Sequence, residues 1–225
     1  MIKTRAEANK IIRILIVDDH PLVRQGISKI IEKESDLQIC AEASSANEAI
    51  TLINKMLPDF IIVDISLDED HSGIDLVKAV RERFPKIRAL VLSMHDESLF
   101  AERAIRAGAR GYLTKKEAPV KIIEAIHTIL SGDIFINQKI SGQIIEKIMQ
   151  STNNDRPSVA DLSDREFEVL HLIGNGLGTG EVAEKLSIST NTVESHRRNI
   201  KEKLGLKSGN ELVKYAVQWV ISQKK

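Results

Sequence analysis

Three aspartates, a serine and a lysine stand at the ends of apolar runs that are predicted to be strands of one parallel sheet. Asp18 and Asp19 follow one run and Asp64 follows another. Clustered carboxylates repel one another, so the cluster predicts a hard divalent cation among them, for which Mg²⁺ is suited. Ser93 adds a hydroxyl, and Lys115 adds a compact charge able to contact a phosphoryl oxygen. This set predicts phosphoryl transfer, in which positioning and electrostatic stabilisation do most of the catalysis.

The elements that must position these groups follow from the alternation of short β-branched runs with amphipathic helical patterns. That rhythm predicts five βα units and a parallel sheet covered by helices on both faces. Functional groups collect at the carboxyl ends of such strands. The predicted strands are Ile12–Val17, Gln38–Ala43, Phe60–Val63, Ala89–Ser93 and Gly111–Leu113, and the predicted helices cover 21–34, 46–56, 74–83, 98–107 and 119–130.

The chain of 225 residues is long enough for two domains. We assign 11–130 to the first domain, 131–160 to a linker with a helix near 138–150, and 161–225 to the second domain. The second domain shows no strand pattern, and its predicted helices cover 164–174, 180–186, 190–204 and 209–222. It opens at Ser163 and Glu166, which are spaced for a capping box.

The helix predicted over 190–204 has two different faces. Val193, His196, Ile200 and Leu204 share the face that packs inward. A helix over 181–186 and a short turn precede the helix over 190–204, and this arrangement predicts a helix-turn-helix. Its polar face can offer hydrogen bonds to base edges and positive charge to phosphates. Any small helical bundle, however, contains amphipathic helices joined by tight turns. The candidate DNA-contacting residues are Thr190, Asn191, Glu194, Ser195, Arg197, Arg198 and Lys201.

Composition narrows the remaining classes of protein. With 42% hydrophobic and 28% charged residues, the chain is predicted to fold and not to be disordered. No apolar run approaches the roughly 20 residues of a membrane span, and the first ten residues do not resemble a signal peptide. We therefore expect a cytoplasmic protein. The formal net charge is zero, so any DNA-binding surface must be local.

Residues 11–130 resemble the receiver domain of two-component response regulators. The matching segments are Val17–Arg24, Ile62–Asp64, Leu92–Ser93 and Gly108–Lys115. The resemblance implies a flavodoxin-like fold with strand order 2-1-3-4-5. It also implies that Asp64 is the phosphoacceptor, that Asp18, Asp19, Asp64 and the Ser66 carbonyl bind Mg²⁺, that Ser93 and Tyr112 form a switch pair, and that Lys115 contacts the phosphate. Taken singly, each has an ordinary alternative, as a turn, strand-end or core residue.

Residues 162–219 resemble the LuxR-type output domain, on the segments Leu162–Leu170, Glu181–Ala183, Ile188–Ile200 and Lys203–Leu206. Together with the receiver, this implies an all-α, four-helix helix-turn-helix domain in a NarL/FixJ-type response regulator. Its partners would be a sensor histidine kinase, double-stranded DNA and a second copy of the chain, with the dimer forming through Leu212–Val220.

The sequence departs from these families at three places. The segment after Asp64 carries Asp68 where proline is usual and reaches Gly73 one residue late, so this loop is longer and more acidic. Its charges could simply be solvated, or they could draw in extra cation and alter the lifetime of the phosphate. In the second domain, Thr179-Gly180 and Gly209-Asn210 replace pairs that are common in the family.

Two other classes of protein remain open on the sequence. One is a DNA-binding protein that works without phosphorylation, whose receiver is a dimerisation or ligand module. The other is an enzyme such as a phosphatase, for which Asp68 is the nearby candidate for a second acid.

Overall fold

The computed structural model describes residues 11–67, 72–94, 97–137, 141–142 and 159–223. The first domain alternates strands and helices, and the second is helical. The strands are β1 (Ile12–Val17), β2 (Leu37–Ala43), β3 (Phe60–Asp64), β4 (Arg88–Ser93) and β5 (Gly111–Thr114). The helices of the first domain are α1 (Pro21–Ile31), α2 (Ala46–Met56), α3 (Gly73–Arg83), α4 (Glu97–Ala107) and α5 (Ala118–Ser131).

The five strands form one parallel sheet in the order β2-β1-β3-β4-β5, which confirms the predicted receiver fold. Side chains alternate between the two faces of β1: Leu15 and Val17 join the core beneath α2, α3 and α4, whereas Ile14 and Ile16 join the core beneath α1 and α5. Burial on both faces explains why the central strands are continuously apolar in sequence.

Helix α1 ends at Ile31, three residues before its predicted end at residue 34. The main-chain N–H groups of Lys33 and Glu34 donate to Ile30 and Ile31, three residues back, so the chain tightens into turns. Because no apolar side chain follows Ile31 before Leu37, further helical turns would have nothing to bury. The helix predicted near 138–150 lies almost entirely outside the described residues.

The second domain contains helices α6 (Asp164–Gly174), α7 (Thr179–Leu186), α8 (Thr190–Leu204) and α9 (Gly209–Gln223), preceded by a short 3₁₀ turn at Val159–Asp161. The predicted capping box is present: Glu166 N–H donates to Ser163 Oγ at 3.3 Å, and Ser163 N–H donates to Glu166 Oε2 at 2.7 Å. Gly174 lets α6 approach α9 closely, because a Cβ there would lie 2.5 Å from the Ala216 carbonyl oxygen. The four helices confirm the predicted all-α domain.

Candidate functional site

The acidic groups meet at the carboxyl end of the sheet, as expected for parallel strands. Ligand atoms of Asp18, Asp19, His20 and Asp64 all lie within 4.8 Å of one another. Lys115 Nζ lies 2.7 Å from Asp64 Oδ2 and 2.7 Å from Asp18 Oδ2. The fold thus brings the carboxylates and the lysine, which are far apart in sequence, into one charged cluster.

Burial changes the ionisation of this cluster. The pKa of Asp64 is raised to about 7, chiefly by burial and also by the carboxylates of Asp18 and Asp19, against the lowering effect of Lys115. For Lys115, burial lowers the pKa, but the charges of Asp64 and Asp18 outweigh it and raise the pKa overall. An ionised Asp64 therefore needs more positive charge than Lys115 alone supplies.

The cluster has the donor chemistry of a magnesium site. Asp18 Oδ2 and Asp19 Oδ1 are buried, and neither receives a well-aligned hydrogen bond from any described residue, although Lys115 Nζ and His20 Nδ1 lie 2.7 and 2.5 Å away. Their lone pairs can face a cation, and three carboxylates suit a hard ion. Within the described part of the chain, this cluster stands out as able to hold a metal.

His20 joins this cluster although the sequence analysis did not single it out. Its imidazole Nδ1 lies 2.5 Å from Asp19 Oδ1 and 3.4 Å from Asp18 Oδ1, and 61% of its side chain is exposed. Because magnesium prefers oxygen ligands and this ring is free to swing outward, we regard His20 as a neighbour of the cation site and not as a ligand. Its position directly after the aspartate pair was the available signal.

The two residues expected to form a switch lie on adjacent strands. Ser93 ends β4 and is fully buried, and its carbonyl accepts from the Lys115 N–H at 2.7 Å. Tyr112 lies on β5, opposite Val91, and is also fully buried. Ser93 therefore stands at the same edge of the sheet as the acidic cluster, while the ring of Tyr112 belongs to the core.

The loop after β3 returns close to Asp64 despite its extra residue. Ser66 and Ser72 form an isolated antiparallel bridge, and Gly73 N–H donates to the Ile65 carbonyl at 2.7 Å. A Cβ on Gly73 would lie 1.8 Å from the Asp64 carbonyl oxygen, so only glycine fits there. Residues 68–70, which carry the acidic charges of the loop, lie outside the described part.

In the second domain, α8 presents the predicted row of side chains. Thr190, Asn191, Glu194, Ser195 and Arg198 are exposed, and Arg197 and Lys201 are half-buried. Val193, Ile200 and Leu204 face inward, as predicted. Helix α8 thus leaves its polar face open in this arrangement of the two domains.

Some charged and polar side chains of α8 form ion pairs and hydrogen bonds within the second domain. Arg197 Nε lies 3.5 Å from Glu194 Oε1, which also accepts from Thr179 Oγ1 at 2.8 Å. Lys203 donates to Glu166 at 2.7 Å. The half-buried His196 has its pKa lowered, first by burial and then by the charge of Arg165, as expected of an inward-facing imidazole.

Helix α9 exposes apolar side chains to solvent, but the two residues that bound the predicted dimer segment, Leu212 and Val220, are not among them. Leu212 and Val220 are buried in the core of their own domain, whereas Val213 and Ile221 are 40% and 57% exposed. Any contact of α9 with a second copy would therefore use the face that carries Val213 and Ile221.

The two domains touch through α4 and α6, a contact that the sequence analysis did not find. The rings of Phe100 and Phe167 meet edge to face with their centroids 5.0 Å apart. Asp164, whose side chain is 2% exposed, accepts from Arg103 Nε at 2.6 Å and from Lys78 Nζ at 3.2 Å. The sequence carried little signal for this contact, because Asp164 and Glu168 stand one turn apart in a helix start that also carries Arg165 and Glu166.

No helix in the described ranges has the length and apolar character needed to cross a membrane.

Comparison with known families matches both halves of the chain. Residues 14–127 match the response regulator receiver domain, and residues 160–216 match the luxR family of bacterial regulatory proteins. Among curated proteins, the oxygen regulatory protein NreC of Staphylococcus aureus (strain MRSA252) is 35% identical over 210 residues, which cover 92% of this chain and 97% of that protein.

Similar solved structures are also response regulators. RcsB from Salmonella enterica serovar Typhimurium, bound to promoter rprA in the presence of phosphomimetic BeF3-, is 26% identical with a TM-score of 0.58, over 92% of this chain and 98% of that one. A LuxR-family two-component response regulator from Aurantimonas sp. SI85-9A1 is 36% identical with a TM-score of 0.56, over 61% of this chain and 98% of that one. With a receiver matched in the first half and a LuxR-type DNA-binding domain in the second, the chain belongs to the NarL/FixJ-type response regulators, which are DNA-binding transcription regulators.

Proposed function

We propose that a sensor histidine kinase phosphorylates this protein on Asp64, and that the phosphoryl group controls sequence-specific DNA binding and transcription in the bacterial cytoplasm, where promoter DNA lies. The observation that carries the proposal is the burial of the Asp64 carboxylate against Lys115 and two further aspartates in a chain whose α8 presents an open polar face. The receiver can accept a phosphoryl group, and the second domain can bind DNA through α8.

In the proposed reaction, an Asp64 carboxylate oxygen attacks the phosphorus of a phosphohistidine. The new P–O bond forms as the P–N bond breaks, and the kinase histidine leaves. Lys115 Nζ, which lies 2.7 Å from Asp64 Oδ2, would contact the transferred group and balance its charge.

Asp18, Asp19, Asp64 and the Ser66 carbonyl would hold Mg²⁺, which supplies the positive charge that the phosphoryl oxygens require. Ser93 would donate its hydroxyl to the aspartyl phosphate, and the movement would let Tyr112 change rotamer. We also expect the receiver to lose its phosphoryl group by hydrolysis at the same site, so its turnover is confined to its own aspartate. These steps make the receiver a switch and not an enzyme acting on external substrates.

The exposed residues of α8 would contact base edges near its amino end and phosphates farther along. Phosphorylation would favour a homodimer that binds DNA with two such helices, with α9 contributing its Val213 and Ile221 face. The proposed DNA-contacting set is Thr190, Asn191, Glu194, Ser195, Arg197, Arg198 and Lys201, of which Arg197 is the most enclosed.

The phosphoacceptor is tested by the intact mass of wild-type and Asp64→Ala protein after incubation with a small acyl phosphate and Mg²⁺. We expect one phosphoryl adduct on wild type and none on the variant. Absence of an adduct on the wild type would contradict the proposal and favour a regulator that works without phosphorylation. Continuous release of phosphate from external phosphorylated substrates would instead favour the phosphatase alternative.

DNA binding is tested by titrating a promoter duplex at fixed salt with phosphorylated and unphosphorylated protein. We expect phosphorylation to tighten binding about fivefold or more. Arg198→Ala should weaken it by about 1–3 kcal/mol if the guanidinium reads a base. Lys55→Ala, which removes one positive charge from an exposed position on the receiver, is the matched control. Equal affinities of the two wild-type forms would rule out control of DNA affinity by phosphorylation.

A further inference from the structure

A side chain of the DNA-binding domain reaches the loop beside the phosphorylation site. Ser66, two residues after Asp64, donates its hydroxyl to Glu168 Oε1 at 3.0 Å, and the two residues are 102 positions apart in the chain. Ser66 also pairs with Ser72, which closes the base of the loop after β3. A restraint on Ser66 is therefore a restraint on the loop that adjoins Asp64.

Glu168 is itself held rigidly within the DNA-binding domain. Its side chain is completely buried, and its second oxygen accepts from Arg165 Nη1 at 2.6 Å. Arg165 also donates to the carbonyl of Leu186, the last residue of α7. The carboxylate that receives the Ser66 hydroxyl is thus tied to two helices of the helix-turn-helix domain.

The remaining contacts of α6 hold this helix against the receiver, so that Glu168 stays within hydrogen-bond distance of Ser66. Asp164 lies one helical turn before Glu168 and binds Lys78 of α3 and Arg103 of α4. Between these two carboxylates, Phe167 packs against Phe100, and the Arg103 guanidinium lies 4.5 Å from the centroid of the Phe167 ring. The hydrogen bond between Ser66 and Glu168 is therefore part of an ordered interface.

Building on the proposed function, we infer that Glu168 is a positioning residue for phosphorylation of Asp64. By holding Ser66, which pairs with Ser72, it fixes the two ends of the loop in the arrangement that suits the unphosphorylated site. Phosphorylation adds negative charge close to this loop, and a fully buried carboxylate is poorly screened by water. The contact therefore favours the unphosphorylated form, and its loss speeds phosphorylation.

The test measures the rate of phosphorylation of the full-length protein by a small acyl phosphate with Mg²⁺. Ser66→Ala removes the donor, and the pair Arg165→Met with Glu168→Met removes the acceptor without leaving a buried charge alone. We expect each to raise the rate about threefold to tenfold, and the triple variant to match either. The control is Ser131→Ala, which removes an exposed hydroxyl at the far end of α5 and should stay within about twofold of wild type.

Unchanged rates in the donor and acceptor variants, or effects that multiply in the triple variant, would overturn the inference while leaving the proposed function intact. A wild type that accepts no phosphoryl group would overturn both. If the Arg165 and Glu168 pair fails to fold, as reported by the fluorescence of Trp219, the comparison of Ser66→Ala with Ser131→Ala decides alone, and equal rates in these two variants overturn the inference. That comparison separates loss of the Ser66 hydroxyl from loss of a serine hydroxyl elsewhere on the receiver.

Discussion

Replacing Phe167 by alanine is expected to lower the free energy of unfolding of the DNA-binding domain by about 3–5 kcal/mol. The ring is 3% exposed and lies between two other aromatic rings, Phe100 of the receiver at 5.0 Å and Trp219 of α9 at 5.2 Å. Truncation would leave a cavity where the two domains and the last helix meet. Denaturant unfolding followed by the fluorescence of Trp219, the single tryptophan, measures the effect.

The same change should release the receiver, because the Arg103 guanidinium loses the ring it covers and Phe100 loses its partner across the interface. Phe167→Leu, which keeps most of the apolar volume, should lose less stability. Phe84→Ala is a control in the receiver, because this half-buried ring lies beneath the guanidinium of its neighbour Arg83, 5.7 Å from the ring centroid. A Trp219 unfolding midpoint that stays at the wild-type value in Phe167→Ala would contradict the role of this ring.

The second large effect is expected from Asp64→Asn, which should stabilise the protein when no divalent cation is present. Burial raises the pKa of Asp64 to about 7 from its ordinary value of 3.8, so the folded protein resists the charged form. Since each pKa unit corresponds to about 1.4 kcal/mol, we expect the neutral amide to raise the free energy of unfolding by about 2–4 kcal/mol at pH 8.

The sign of the pH dependence follows from proton binding. Between 3.8 and about 7, the folded protein keeps the Asp64 proton that the unfolded chain has released. The contribution of this group to stability therefore falls as the pH rises through that window, and it stays constant above it. The advantage of Asp64→Asn should be small near pH 4, grow up to about pH 7 and then remain level.

Urea unfolding of both proteins at pH 5 and pH 8, with chelator and then with Mg²⁺, measures this difference. Mg²⁺ should stabilise the wild type more than the variant, because a carboxylate binds the ion better than an amide does. Equal stabilities at pH 8 in chelator would show that ionised Asp64 carries no cost in the fold. A Mg²⁺ effect of the same size in both proteins would place the cation elsewhere.

The sequence alone was sufficient for those features that local pattern and spacing encode. The order of strands and helices follows from hydrophobic periodicity, and the capping box at Ser163 and Glu166 follows from local hydrogen bonding. The convergence of Asp18, Asp64 and Lys115 could be predicted because parallel strands place their carboxyl ends at one edge of a sheet. The inward stripe of Val193 and Ile200 followed from helical spacing.

Only the tertiary structure decided how the two domains meet and which groups change their ionisation. Asp164 was interpretable from sequence only as part of a helix start, yet its carboxylate binds Lys78 and Arg103 of the other domain. The raised pKa of Asp64 depends on how completely it is buried, and the bond from Ser66 to Glu168 depends on where α6 docks. Docking joins residues far apart in the chain, and burial is set by everything that surrounds a side chain, so neither is encoded in local sequence pattern.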